Sequence, residues 1–244
     1  MSEPPEQSGT TWHRLEQRLR AALALPRRPV AVAFCDEPPP GVAPFRGREP
    51  AGCGFWRRAA QGQVFYTVPA DHYHCAIGSY THRFSPPAEQ RAAFEQTFRL
   101  MTDSGYLRPE ELSQLLQLPH TPGVVVYAPL GATPVAPDVV LLAGRPGRLM
   151  LVWEAAQRVG AAAQLPLLGR PTCMALPAAL ARGTVLSLGC IGNRLYTDLG
   201  EDELYVALPG QALPRVVDAL AEVASANAQL ADYHRQRRQQ LTRE

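Results

Sequence analysis

Several motifs that would assign a chemistry are missing from this sequence. It has no G-x-x-x-x-G-K-S/T phosphate loop, and no G-x-G-x-x-G segment follows a predicted strand, so a nucleotide site is not expected. The segment C-x-x-C-H is also missing, which argues against covalently attached haem. The first residues are polar and lack the apolar run of a signal peptide or membrane anchor, so we expect a cytoplasmic protein.

The sequence also has no large excess of positive or negative charge. The 24 basic residues, all of them arginines, nearly balance the 22 aspartate and glutamate residues, which leaves a formal net charge of +2. The one dense basic run lies at residues 235–238, and such a run is typical of a solvated helix end. We therefore expect neither nucleic acid nor a membrane as a partner.

The cysteines are few, and their number is odd. The chain has five, which are Cys35, Cys53, Cys75, Cys173 and Cys190. Disulfides are not expected, because the cytoplasm keeps thiols reduced. No spacing matches the C-x-x-C of a zinc ribbon or the compact run of a ferredoxin. A shared site would therefore require the fold to bring distant cysteines together.

Apolar patterning predicts an α/β protein with one domain, built from mixed sheets with flanking N- and C-terminal helices. Helical spacing is found at residues 11–25, 54–62, 86–118, 146–164 and 211–238. Short apolar runs that predict strands lie at residues 29–34, 63–68, 123–130, 138–144, 184–189 and 204–209. We expect a helical extension over residues 1–28, the domain over 29–222 and a helical tail over 223–244.

The two halves of the domain, residues 29–122 and 123–222, share an order of features that indicates an internal duplication. In each half a cysteine precedes a short alanine-containing helix, a glycine and a strand, and a second cysteine then comes shortly before Ile-Gly. The cysteines concerned are Cys53 and Cys75, then Cys173 and Cys190. Halves packed about a pseudo-twofold axis would bring these four thiols together, whereas chance similarity of alanine-rich segments would not.

Taken together, these segments resemble the uncharacterised ArCR family, the domain of unknown function numbered 169. The likeness lies in PVAVAF, the A-x-x-G after Cys53, D-H-Y-H-C-x-I-G, R-P-T-C and S-L-G-C-I-G-N-R, and it extends over residues 29–222. The resemblance implies that the same four cysteines are the recurrent ones of the family and that Cys35 is not. Many relatives have a further cysteine where this chain has Asn193, so a role at that position is not carried over.

Four cysteine thiolates can hold an iron–sulfur cluster, and we expect a 4Fe–4S cluster on Cys53, Cys75, Cys173 and Cys190. Structural zinc on the same ligands is the alternative. Iron and sulfur are favoured because ligands dispersed over an α/β core have no need of a metal to hold a small module together. Cys53 and Cys173 each precede a predicted helix, whose dipole favours a thiolate. Four separate buried thiols remain possible.

The stretch DHYHCAIGSYTH, residues 71–82, supplies candidate catalytic histidines, which are His72, His74 and His82. On an extended backbone the first two would point to one side and Cys75 to the other. Histidine titrates near neutral pH, so these side chains could relay protons or hydrogen-bond a cluster sulfur. They could equally cap loops or be solvated. Metal-free catalysis with Cys75 as nucleophile and His82 as base is a further alternative.

Three classes of function therefore compete. They are an electron carrier or redox sensor with a redox partner protein, an enzyme that converts a small-molecule substrate, and a zinc-stabilised binding module. Arg57 and Arg58 follow Cys53, and Arg194 follows Cys190. These side chains could neutralise an anionic substrate or cluster, although surface arginines are usually solvated.

Overall fold

The structure is a computed structural model that describes residues 5–241. The strands are β1 (Val30–Cys35), β2 (Phe65–Thr67), β3 (Val124–Pro129), β4 (Val139–Gly144), β5 (Ala162–Leu168), β6 (Thr184–Ser187) and β7 (Leu204–Pro209). The helices are α1 (Pro5–Leu23), α2 (Cys53–Ala60), α3 (Ala76–Thr81), α4 (Ala88–Asp103), α5 (Pro109–Leu112), α6 (Pro146–Arg158), α7 (Ala175–Arg182), α8 (Ile191–Thr197) and α9 (Leu213–Leu241). Residues 1–4 and 242–244, the ends of the predicted extension and tail, lie outside the described residues.

One seven-stranded sheet forms the centre of the fold, in the order β2-β3-β1-β4-β7-β6-β5. The pairs are antiparallel except for β5 and β6, which run parallel. In the central antiparallel pair, Val30 of β1 lies opposite Leu141 of β4. This arrangement confirms the predicted mixed α/β class with helices at both ends of the chain.

Helices cover both faces of the sheet, which explains why its central strands are apolar without interruption. On one face, Ala31, Val140 and Val206 pack in a core with residues of α1, α6 and α9. Their sequence neighbours point to the other face, where they pack with residues of α2 and α7. None of the helices within residues 5–241 has the length and apolar character needed to cross a membrane.

Several elements differ from the sequence prediction, and two of them affect the candidate site or its surroundings. The helix predicted over residues 146–164 ends at Arg158, because Gly160 adopts a φ of +68°, a left-handed conformation that commonly follows a helix end. Strand β5 follows directly. The stretch 71–82 lies outside the predicted helices and strands, but it includes the end of a 3₁₀ turn over Pro69–His72 and then α3.

The fold does not confirm the predicted duplication. Helix, strand, cysteine and helix do follow one another in each half, as α2, β2, Cys75 and α3 and then as α7, β6, Cys190 and α8. Strand β2, however, lies at an edge of the sheet, whereas β6 lies between two other strands. The division into halves and the domain boundaries stay predictions.

Candidate functional site

The candidate site, here called the cysteine pocket, is a cavity of about 370 Å³. Its four cysteines are Cys53, Cys75, Cys173 and Cys190. Much of the remaining wall is apolar and includes Ile77 of α3 and Leu100 and Met101 of α4. In the described part of the chain, no aspartate, glutamate, lysine or arginine belongs to this lining. The pocket is therefore formed mainly by thiols and apolar side chains.

The starts of short helices position the cysteines. Cys75 is the N-cap of α3, and its Sγ accepts a hydrogen bond from the backbone N–H of Gly78 at 3.3 Å. Cys190 is the N-cap of α8, and its backbone N–H donates to the Thr172 hydroxyl. Since Thr172 directly precedes Cys173, this bond joins the start of α8 to the turn that leads into α7.

The structure contradicts the predicted metal centre. Within residues 5–241, no group of three or more histidine, cysteine, aspartate or glutamate side chains could hold a metal ion. The predicted 4Fe–4S cluster on Cys53, Cys75, Cys173 and Cys190 is therefore wrong, and so is the zinc alternative. A zinc ion needs its sulfur ligands at about 2.3 Å around one point, and thiols can line one cavity without meeting that requirement. The redox role that was predicted from the cluster is therefore wrong as well.

The thiols are also less acidic than predicted. Burial raises the pKa of Cys53 to about 12, and the nearby thiols of Cys75 and Cys190 contribute. Burial likewise raises the pKa of Cys75, and it raises that of Cys173 well above its usual range. The prediction that helix starts favour thiolates at Cys53 and Cys173 is wrong, because loss of water outweighs the helix dipole. At neutral pH these three groups are uncharged thiols.

The three predicted histidines are divided between two environments. His74 is exposed and lines the cysteine pocket. His72 and His82 are buried, and their ring centroids lie 5.4 Å apart. The rings that surround this pair are Phe34, Phe55, Phe84 and Tyr127. His72 and His74 do not share a side because the 3₁₀ turn replaces the expected extended backbone. The catalytic role of the histidines stays a prediction.

The buried histidines are neutral at physiological pH. Burial lowers the pKa of His72 well below its usual range and that of His82 to about 4. The Nδ1 of His82 lies 2.8 Å from the Gly78 carbonyl oxygen, and since a carbonyl can only accept, Nδ1 holds the proton. The His72 Nε2 lies 2.8 Å from the Thr67 hydroxyl. These contacts hold both rings in place.

Asn193 is the site residue that sequence reasoning missed. The residue belongs to the lining of the cysteine pocket, and only 1% of it is exposed. In the described part of the chain, neither its Oδ1 nor its Nδ2 has a hydrogen-bond partner of ordinary geometry, although the Cys53 thiol and Tyr205 hydroxyl are close. A buried amide without well-formed hydrogen bonds is costly, so Asn193 needs an explanation.

The arginines near the cysteines do not line this pocket. Arg58 forms an ion pair with the buried carboxylate of Glu49. Arg194 donates to backbone carbonyl groups, including those of Leu188 and Gly200. Both side chains therefore hold loops in place, and the suggestion that they face an anion in the cysteine pocket is not supported.

Comparison with known proteins gives one match. The model of the uncharacterised ArCR family, DUF169, matches residues 18–219. No curated protein and no solved structure matches the chain. The matched span contains the whole sheet and every cysteine of the cysteine pocket.

Proposed function

The chain belongs to the uncharacterised ArCR family, and we propose that it binds a small, uncharged and mostly apolar organic molecule in the cysteine pocket. One observation carries the proposal. The Asn193 amide is buried without hydrogen-bond partners of ordinary geometry in the described part of the chain, and Asn193 belongs to the lining of a cavity without charged lining residues. A ligand with a matching polar group would supply the hydrogen-bond partner that the amide lacks.

The size of the pocket supports a ligand of one or two rings. Ligand pockets commonly have volumes of about 300 to 1,000 Å³. The cysteine pocket, at about 370 Å³, lies near the lower end of that range. A dry apolar cavity of about 150 Å³ holds benzene, so this pocket has room for a ring and a substituent.

The polarity of the wall supports an uncharged ligand. The thiols of Cys53, Cys75 and Cys173 have raised pKa values and are protonated at neutral pH. A charged group entering the pocket would lose its hydration without meeting an opposite charge. The Asn193 amide offers one acceptor and one donor group, so a carboxamide or a lactam could pair with both.

Benzamide is a suitable probe, and saturation-transfer NMR is the measurement. We expect a benzamide signal with the native chain and its loss in Gly192→Leu. Gly192 lines the pocket, and a Cβ added there would meet only a Tyr196 ring carbon at 3.7 Å, so leucine can enter the cavity without straining the backbone. Gly147→Leu is the matched control, since a Cβ at this exposed position of α6 meets nothing within 4 Å. Equal signals from both variants would overturn the proposal.

Replacing Asn193 by leucine is expected to raise the stability of the fold and to weaken ligand binding. The substitution removes an unpaired buried amide, so the free energy of unfolding should rise by about 1 kcal/mol. Benzamide affinity should fall about tenfold, because the polar contact is lost. Denaturant unfolding and NMR titration measure the two effects.

The matched control for this prediction is Asn227→Leu. The Asn227 amide donates to Glu154 at 2.7 Å and to the Val223 carbonyl at 3.0 Å, so its replacement should not stabilise the fold. A clear loss of stability in Asn193→Leu would mean that the protein itself uses the Asn193 amide, and it would contradict the proposal.

We also propose that the protein acts in the cytoplasm. All five of its cysteines are free thiols, the state that cytoplasmic reductants maintain. Fractionation of the source cells, followed by immunoblotting of each fraction, tests this location. Recovery in an extracytoplasmic fraction would contradict it.

A further inference from the structure

A second cavity lies at the other ends of α2 and α8 and has a volume of about 280 Å³. We call it the arginine pocket, because its lining includes Arg20, Arg27, Arg28 and Arg57. Asp198 is the one carboxylate in the described lining. We infer that the arginine pocket binds a small organic oxyanion, a phosphate or a carboxylate, chiefly through Arg57 and Arg20.

Arg57 has donors that the protein does not use. Its Nε is buried and has no hydrogen-bond partner in the described part of the chain. Its two ion pairs, with Glu49 at 3.6 Å and Asp198 at 3.7 Å, are longer than ordinary hydrogen bonds. A guanidinium group presents a rigid fork of donors that fits two oxygens of a carboxylate or phosphate. An oxyanion in the pocket would engage this fork.

The other three arginines of the pocket differ in whether their guanidinium groups are already engaged in ion pairs. Arg27 pairs with Glu203 at 2.6 Å, and Arg28 pairs with Glu16 at 2.7 Å, so both guanidinium groups are already engaged. Arg20 is exposed on α1 and has no ion pair among the described residues. The pocket therefore combines two engaged arginines, Arg27 and Arg28, with Arg57, which has only two long ion pairs and an unpaired Nε among the described residues, and with Arg20.

Aromatic and aliphatic side chains form the rest of the lining. Trp56 and Tyr205 meet edge to face with ring centroids 5.5 Å apart, and Val30, Leu141 and Ala143 lie beside them. A ligand with a small apolar body and one oxyanion group would match both parts of the lining. This chemistry is unlike that of the cysteine pocket, which has no charged side chain in its described lining.

Calorimetric titration of the full chain with phenyl phosphate and, separately, benzoate tests the inference. We expect at least one probe to bind saturably and to bind more weakly as salt rises. Arg57→Gln should weaken the affinity about tenfold, because a charge-assisted contact is lost. Arg20→Gln should weaken it less. Preference for phenyl phosphate would identify a phosphate site, and preference for benzoate would identify a carboxylate site.

Two controls separate this site from other binding. Arg99→Gln removes an exposed arginine from α4 and should leave the affinity unchanged. Gly192→Leu, which fills the cysteine pocket, should also leave it unchanged. Arg20 is exposed, so Arg20→Gln tests the inference even if Arg57→Gln folds poorly. The absence of saturable binding at millimolar probe, or equal affinities in the native chain and both arginine variants, would overturn it.

Discussion

Replacing Arg58 by methionine is expected to lower the free energy of unfolding by about 3 kcal/mol, because it leaves a buried carboxylate without its closest cation. The carboxylate belongs to Glu49, whose side chain is only 1% exposed and whose Oε1 accepts from the Arg58 Nε at 2.5 Å. The remaining cation, Arg57, lies 3.6 Å away. Methionine preserves much of the aliphatic stem, so loss of packing contributes little. Denaturant unfolding measures the effect.

Two further variants test this explanation. Glu49→Gln combined with Arg58→Met should be more stable than Arg58→Met alone, because the double variant no longer buries an unpaired charge. Arg99→Met breaks an exposed pair with Glu95 on α4 and should cost less than about 0.5 kcal/mol. If the double variant were as unstable as Arg58→Met, the lost stability would not come from the stranded carboxylate.

Much of the fold could be predicted from the sequence because its strands are buried on both faces. Such strands are continuous apolar runs, and β1, β3, β4 and β7 all coincide with predicted runs. Strand β5 was not predicted, because its alanine-rich start continues the pattern of α6 until Gly160 ends the helix. Helix α8 was also missed, since Gly192 and Asn193 are poor helix formers and its position depends on packing against α2.

The candidate site could be predicted only in part. Cys53 and Cys173 are expected to precede short helices, a local feature that the sequence displays, and the structure places all four cysteines in the lining of one pocket. Whether four thiols surround one metal position or only line a cavity depends on the distances between separate helices and loops. No local sequence pattern encodes those distances. Burial is equally non-local, and it reverses the expected acidity of Cys53. Asn193 could not be identified from the sequence, because what distinguishes it is a buried amide without well-formed hydrogen bonds to the described residues of the folded chain.

Acidification from about pH 7 to about pH 4 is expected to destabilise the protein by about 3 kcal/mol through His82 alone. Burial lowers the pKa of His82 from 6.5 to about 4 in the folded chain. The unfolded chain therefore binds its proton first as the pH falls. The stability contributed by the neutral ring is fully present above about pH 6.5 and is lost as the pH approaches 4. His72, whose pKa burial lowers well below its usual range, acts in the same direction.

Urea unfolding of the native chain and His82→Gln at both pH values measures this contribution. Glutamine can still donate to the Gly78 carbonyl but does not titrate, so the difference in stability between the two pH values should shrink by about 3 kcal/mol. His120→Gln, at an exposed loop position, should leave that difference unchanged. An undiminished difference in His82→Gln would mean that the folded chain admits a proton to this cluster at little cost. Such access is what the predicted proton relay through His82 requires, so the same titration also tests that role.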